Sequence, residues 1–277
     1  ASIFVPVVNL GWYTIQAATY GHFVAQVFHM GQVGEGICMA VSAIVMGIFA
    51  MCGIGAITIL GYIAIPAIVF LSIATAIRSL GVIGGMEALF AYVPSSDMPL
   101  FTGITAVIGT WVLSTATCIA DIMRYAKDTK AAVSATLTGL LGGNILMIVC
   151  GAIAAIAMQN SDLTVILLGF GLVIPSLILM TTNIFTTNAA NLYSTSLNLS
   201  NAFKMERKKM LAILLALSAL ATLTKPYEIG FLFTFLNILG TVVPPLSGII
   251  LSDYFLVHKG SYAAYDKARF CKWNPVP

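Results

Sequence analysis

Long apolar runs separated by short polar segments make up most of the chain, and this pattern predicts helices that cross a membrane. A helix needs about 20 residues to cross the hydrocarbon layer. The runs are continuous, whereas the strands of an outer-membrane barrel alternate apolar and polar residues. We therefore expect an all-α, polytopic transmembrane helix bundle. Eight runs are long enough to span: 3–30, 34–53, 55–77, 101–120, 131–157, 163–195, 208–224 and 229–257.

The composition predicts that the lipid bilayer is the main partner of the chain. Of the 277 residues, 59% are hydrophobic and 8% are charged, whereas soluble domains average about 25% charged residues. This balance excludes a soluble enzyme, a disordered chain and a protein that binds nucleic acid. The sequence has no HExxH and no G-x-S-x-G motif, so we also expect no membrane enzyme.

The positive charges predict the orientation of the chain. Of the 13 Lys and Arg residues, all but Arg78 and Lys225 follow the fourth, sixth or eighth run. Loops rich in Lys and Arg stay on the cytoplasmic side of a membrane. We therefore expect these three segments in the cytoplasm, and a multi-pass protein of a bacterial-type inner (plasma) membrane.

The first run carries polar side chains on one face of its predicted helix. Asn9, Trp12 and Gln16 fall within an arc of about 60° if each residue turns the helix by 100°. A flat aromatic ring flanked by two amides suits a planar heterocycle, because the ring stacks while the amides form hydrogen bonds in its plane. The alternative is an interfacial tryptophan with amides that join neighbouring helices.

The fourth run places a tryptophan near its centre. Trp111 follows Thr110 and precedes several small hydroxyl residues, away from the interfaces where membrane tryptophans concentrate. This position favours the wall of a cavity, and packing in the core is the alternative.

The sixth run contains a dense polar segment. Asn183 and Thr187 are four residues apart with Thr186 beside them, so neutral oxygens gather on one side of the helix. Such oxygens suit a hard monovalent cation, and hydrogen bonds between helices are the alternative. Asn188 points about 100° away from Thr187, towards a different ligand. No Asp, Glu or Lys lies near the middle of a run, which favours a cation over a proton relay.

Four sets of residues, taken in order, carry a resemblance to a known family. The chain resembles the nucleobase–cation symporter family 1, and most closely its cytosine permease branch, over essentially its whole length. The residues are Gly11-Trp12-Tyr13, Ala120-Asp121-Ile122-Met123-Arg124-Tyr125, Asn183-Ile184-Phe185-Thr186-Thr187-Asn188 with Leu192-Tyr193, and Pro244-Pro245-Leu246-Ser247-Gly248-Ile249-Ile250 with Asp253-Tyr254.

The resemblance implies a leucine-transporter-like fold, which has two inverted five-helix repeats and usually twelve helices. The eight runs would be helices three to ten, and the first two and last two helices would be missing. Residues 1–277 would form one transporter domain. Within it, 1–77 is the rest of the first repeat, 101–257 is the second repeat and 258–277 is a cytoplasmic loop.

The resemblance also implies roles for individual residues. Trp12 and Trp111 would stack on the two faces of a substrate. A sodium ion would bind the backbone carbonyl of Asn183 and the hydroxyls of Thr186 and Thr187. The remaining substrate contacts, three amides and one backbone position, would be Asn9, Gln16, Asn188 and Thr110.

The expected function is secondary active transport. The chain would import a nucleobase or related planar nitrogen heterocycle, cytosine-like, by alternating access with sodium co-transport. Sodium is the coupling ion, and no other cofactor is expected. The alternatives are a proton-coupled or uncoupled permease of the allantoin, hydantoin or hydroxymethylpyrimidine type, and an inactive transporter fragment. The expected partners are the heterocyclic substrate, sodium and the bilayer, with no nucleic acid.

Overall fold

All regular structure in the described part of the chain is helical. Two π-helical segments, Thr138–Asn144 and Asp253–Val257, continue neighbouring α-helices. The structure is a computed structural model that describes residues 3–52, 54–94, 98–160, 163–257 and 259. Its α-helices are α1 (Phe4–Val27), α2 (Gln32–Met51), α3 (Ile54–Ile83), α4 (Met86–Phe90), α5 (Leu100–Met123), α6 (Thr129–Leu137), α7 (Ile145–Met158), α8 (Leu163–Gly169), α9 (Val173–Phe203), α10 (Arg207–Thr222) and α11 (Ile229–Ser252).

Each predicted run lies on a helix or on consecutive helices, but not all of these helices are strongly apolar. Among the described residues, four stretches are long and apolar enough to cross a membrane, so the count of eight spans stays a prediction. The polar residues singled out above lie on α1, α5 and α9, outside these four stretches. The four stretches are Gln32–Met51, Gly55–Ile83, Thr129–Met158 and Ile229–Val257.

The sixth run, predicted as one span over 163–195, is divided into α8 and α9, and its crossing of the membrane stays a prediction. Gly171 has a φ of 67° between α8 and α9, a conformation that glycine adopts at little steric cost. Pro175 follows in the first turn of α9, where its missing N–H has no helical partner to lose. Arg78 Nη2 donates to the carbonyl oxygen of Phe170 at 3.0 Å, so a side chain from α3 stabilises the break.

The third run is longer than predicted. The prediction over 55–77 is wrong at its end, because α3 continues to Ile83 and Arg78 therefore lies inside the helix. The helix stops at Gly84 and Gly85, which have φ angles of 98° and 102°. The extension brings Arg78 level with the break between α8 and α9.

Helix α1 packs against α2, α9 and α10 and has side-chain contacts with α11. Its contacts with α9 show that these two helices are antiparallel. Near one end, the hydroxyls of Tyr20 and Thr181 are 2.8 Å apart. Near the other end, Thr195 Oγ1 donates to the carbonyl oxygen of Pro6 at 3.5 Å. The polar segment of α9 therefore lies alongside the polar segment of α1.

Two helix pairs pack backbone against backbone. A Cβ atom on Gly21 would lie 2.3 Å from Cα of Met39, which joins α1 closely to α2. A Cβ atom on Gly240 would lie 2.1 Å from the carbonyl oxygen of Thr105, which joins α11 closely to α5. Small residues at such crossings allow membrane helices to approach one another.

We predict that Gly21→Ala destabilises the protein whereas Gly36→Ala does not. The methyl group at position 21 would push α1 and α2 apart, at a cost of about 1–3 kcal/mol for overpacking. At Gly36 the nearest atom to an added Cβ is Leu223 Cδ2 at 3.5 Å, and removing a helical glycine stabilises by roughly 0.5–1 kcal/mol. Thermal unfolding midpoints in detergent measure both effects, and equal midpoints would contradict the close α1–α2 packing.

Candidate functional site

The polar face of α1 points into the protein and carries polar atoms that lack partners. Asn9 is fully buried, and Trp12 and Gln16 are half-buried. The atoms Trp12 Nε1 and Gln16 Oε1 are buried and have no hydrogen-bond partner among the described residues. An unpaired buried polar atom costs about 1–3 kcal/mol. A donor and an acceptor one helical turn apart are therefore available to a ligand.

Phe235 of α11 holds the ring of Trp12 in place. The two ring centroids are 5.5 Å apart with an interplanar angle of 80°, an edge-to-face geometry that aromatic pairs favour. Gly11 makes this contact possible, because a Cβ there would lie 2.8 Å from Phe235 Cε2 and Cζ. The sequence analysis missed Phe235, although the glycine next to Trp12 was a signal that a bulky side chain approaches.

Asn188 is fully buried where α1, α2 and α9 meet. Its Nδ2 donates to the carbonyl oxygen of Tyr13 at 3.1 Å and to Met46 Sδ at 3.2 Å. Its Oδ1 is buried and has no partner within the described ranges. The side chain therefore uses its donors to join helices and keeps an acceptor for a ligand.

The predicted cation ligands form a compact oxygen cluster on α9. The hydroxyls of Thr186 and Thr187 donate to the carbonyl oxygen of Asn183 at 2.9 and 3.0 Å. All three residues are half-buried. Because each hydroxyl directs its proton to a backbone carbonyl, the hydroxyl lone pairs remain available to a hard cation, for which neutral oxygens are suitable ligands.

The second predicted stacking residue, Trp111, has its side chain outside the described residues, as does its neighbour Thr110. Their helix, α5, packs along α11 and also contacts α1 and α9. The structure therefore places the backbone that carries Trp111 next to the helices of the other site residues, and the position of the indole stays a prediction.

Further along α9, two of the four sequence segments that carry the family resemblance meet. Arg124 Nη2 donates to the hydroxyls of Tyr125 and Tyr193 at 2.8 and 3.1 Å, and the guanidinium of Arg207 stacks over the Tyr193 ring at 4.6 Å. The hydrogen bonds from Tyr193 and Arg124 lower the pKa of Tyr125. The Asp121 side chain lies outside the described residues. The cluster ties the end of α5 to α9 and α10.

Comparison with known proteins identifies the family. The sequence profile for permeases for cytosine/purines, uracil, thiamine and allantoin matches residues 1–270. The chain belongs to this family. The resemblance found in the sequence is thereby confirmed. The relatives of the chain are permeases rather than enzymes.

Three named permeases are similar in sequence to the chain. The chain is 28% identical to the cytosine permease of Escherichia coli strain K12 over 268 residues, which is 97% of this chain and 62% of that protein. It is 28% identical to the hydantoin permease of Microbacterium maritypicum, over 65% of this chain and 41% of that protein. It is 25% identical to the allantoin permease of Bacillus subtilis strain 168, over 70% of this chain and 43% of that protein. The chain thus spans less than two thirds of each relative's length.

A solved structure shows the same fold. MHP1, a nucleobase-cation-symport-1 family transporter in a closed conformation with bromovinylhydantoin bound, aligns with a TM-score of 0.76 and 18% identity. The alignment covers 96% of this chain and 63% of that one. The chain is therefore an all-helical integral membrane protein with an MHP1-like fold.

We predict that Asn188→Ala lowers stability even without substrate. The substitution removes both hydrogen bonds that join α9 to α1 and α2, at a cost of about 1–3 kcal/mol. Asn201→Ala is the matched control, because Asn201 lies exposed near the end of the same helix, where substitutions stay within about 0.5 kcal/mol. Unfolding midpoints in detergent compare the two. If Asn188→Ala is as stable as the control, the amide does not join the helices.

Proposed function

We propose that this protein imports a nucleobase or a related planar nitrogen heterocycle together with sodium. The observation that carries the proposal is the half-buried ring of Trp12, which has an unpaired donor of its own and an unpaired acceptor on Gln16. The named compounds of the relatives, cytosine, hydantoin and allantoin, are compact rings that carry N–H donors and carbonyl acceptors on their edges. Such rings supply both a face for stacking and partners for the unpaired atoms.

The substrate is proposed to lie between two aromatic faces. One face is Trp12, held by Phe235, and the other is Trp111 of α5. Stacking contributes roughly 1–3 kcal/mol per ring by analogy with bases on aromatic side chains. The edges of the substrate meet Asn9, Gln16, Asn188 and the backbone of Thr110. Gln16 and Asn188 each offer a buried acceptor that has no partner among the described residues, which penalises a heterocycle with the wrong pattern.

Sodium is proposed to bind the oxygen cluster of Asn183, Thr186 and Thr187. A cation at this place would stabilise the conformation of this part of α9, and therefore the conformation that binds substrate. Binding of one ligand then raises the affinity for the other by the same factor. The sodium gradient supplies the direction of transport by alternating access.

The proposal includes the predicted topology. The eight runs cross an inner (plasma) membrane as helices three to ten of a leucine-transporter-like fold, with 1–77 in the first repeat and 101–257 in the second. The segments after the fourth, sixth and eighth spans, the last of them 258–277, lie in the cytoplasm. The clustering of Lys and Arg in these segments supports this orientation.

Replacing the stacking ring is expected to weaken substrate affinity. In cells that express the protein as its gene encodes it, Trp12→Ala should raise KM for the transported heterocycle at least about tenfold, which corresponds to about 1.4 kcal/mol. Trp12→Phe should lose less, and Phe28→Ala, which removes an aromatic ring that is 61% exposed, should lose nothing. Uptake of radiolabelled cytosine, uracil, allantoin and hydroxymethylpyrimidine measures the effect. If Trp12→Ala leaves uptake and KM unchanged, the stacking site is refuted.

Removing one hydroxyl from the oxygen cluster is expected to weaken sodium dependence. Thr186→Val or Thr187→Val should raise the sodium concentration for half-maximal uptake about tenfold. Thr182→Val is the control, because it makes the same substitution at a half-buried threonine one turn away on α9 that is not among the proposed sodium ligands. The measurement compares uptake in sodium and in choline. Equal uptake in both media would refute sodium coupling and favour an uncoupled or proton-coupled permease.

A further inference from the structure

A second polar cluster joins α1, α2 and the turn that precedes α11. The Tyr227 hydroxyl donates to Glu35 Oε1 at 2.6 Å, and His22 Nδ1 donates to the same oxygen at 2.8 Å. Lys225 Nζ lies 3.6 Å from Glu35 Oε2, and Gln26 Nε2 donates to His22 Nε2 at 2.7 Å. We refer to these five residues as the α11 anchor.

The α11 anchor is a stiff connection. The side chains of His22 and Glu35 are only 17% and 14% exposed, so their hydrogen bonds are shielded from water. The rings of His22 and Tyr227 also stack, with centroids 4.3 Å apart and an interplanar angle of 22°. Hydrogen bonds to an ionised carboxylate are stronger than neutral ones, and partial burial strengthens them further.

The α11 anchor is coupled directly to α11. Tyr227 lies two residues before Ile229, where the helix begins. The backbone N–H of Glu228 donates to the backbone carbonyl oxygen of Lys225 at 3.2 Å. The backbone N–H of Leu232 donates to the backbone carbonyl oxygen of Glu228 at 3.0 Å. Hydrogen bonds therefore run from the turn into the helix without a flexible linker, and a movement of Tyr227 is transmitted to α11.

Helix α1 contacts α11 and the turn before it at several levels. The upper contact is the ring stack of His22 and Tyr227, and the next is the edge-to-face pair of Trp12 and Phe235. Beyond this pair, Val8 of α1 packs with Leu239 and Val243 of α11. Near the start of α11 lies a cavity of about 210 Å³, lined by residues that include Thr14 of α1. Because side chains do not fill this space, the separation of the two helices depends on the contacts at its two ends.

We propose that Tyr227 and Glu35 are positioning residues for the aromatic site. They hold the start of α11 on α1 and α2, and α11 in turn keeps Phe235 at the edge of Trp12. Their effect on transport rests on the proposed function. Their effect on the environment of Trp12 does not, so the two can be tested separately.

The fluorescence of Trp12 tests the geometric part of the proposal. In the protein as its gene encodes it, every tryptophan other than Trp12, including Trp111 and Trp273, is replaced by Phe, so that the emission reports on Trp12. Tyr227→Phe removes one hydroxyl and should raise the acrylamide quenching constant by about twofold, because local opening exposes the ring. Tyr62→Phe is the control, since Tyr62 is 77% exposed on α3. No change on Tyr227→Phe would overturn the proposal.

A double-mutant cycle tests the route through Phe235. Phe235→Leu alone should also raise quenching, and Tyr227→Phe should add nothing to it, because residues that act through one contact are not additive. An equal further rise would overturn the proposed route. If Tyr227→Phe does not reach the membrane, Glu35→Gln replaces it in the same cycle. That variant keeps an acceptor for Tyr227 but loses the charge facing Lys225, so a smaller rise is expected and no rise would overturn the proposal.

Transport kinetics test the functional part. In the protein with its native tryptophans, Tyr227→Phe should raise KM for the heterocycle about threefold to tenfold with little change in the maximal rate, because the ring is misplaced before substrate binds. A lower maximal rate with unchanged KM would overturn a positioning role in binding. If the protein transports none of the tested heterocycles, the proposed function fails while the quenching result still decides whether the α11 anchor positions Trp12.

Discussion

A polar atom buried in a bundle surrounded by lipid needs a partner, because water is not there to supply one. Among the buried polar atoms that lack a partner in the described residues are Trp12 Nε1, Gln16 Oε1 and Asn188 Oδ1. Two of these three lie on the same face of α1, and the third belongs to a side chain bonded to the backbone of α1. This grouping beside one face of α1 explains why we place the substrate there.

Helix α1 also organises the packing around that site. It is antiparallel to α9 and approaches α2 so closely that Gly21 has no room for a side chain. Its contacts with α11 and the turn before it are apolar at Val8, aromatic at Trp12, and mixed aromatic and polar at His22. The site is therefore bounded on one side by helices that pack tightly against α1 and on another by a helix that contacts α1 at several levels.

Much of the helical layout follows from the sequence, because 20-residue apolar runs separated by polar loops have few other solutions in a membrane. The errors are local. The positive φ of Gly171 interrupts the sixth run. An apolar pattern does not show which glycine adopts such a conformation. The inward-facing polar positions of α1 were predictable from helical periodicity, as for Trp12 and Gln16. Phe235 and the donor contacts of Asn188 depend on packing between distant segments, which no local pattern encodes.

The close approach of Gly240 to the backbone of Thr105 has a mechanical consequence. A side chain at position 240 would collide with the backbone of α5, so the two helices keep this separation only while glycine occupies that position. Phe235 of α11 and the backbone that carries Trp111 of α5 are therefore spaced by a residue that is not itself among the proposed substrate contacts. The distance between the proposed aromatic walls thus depends on a crossing outside the site itself.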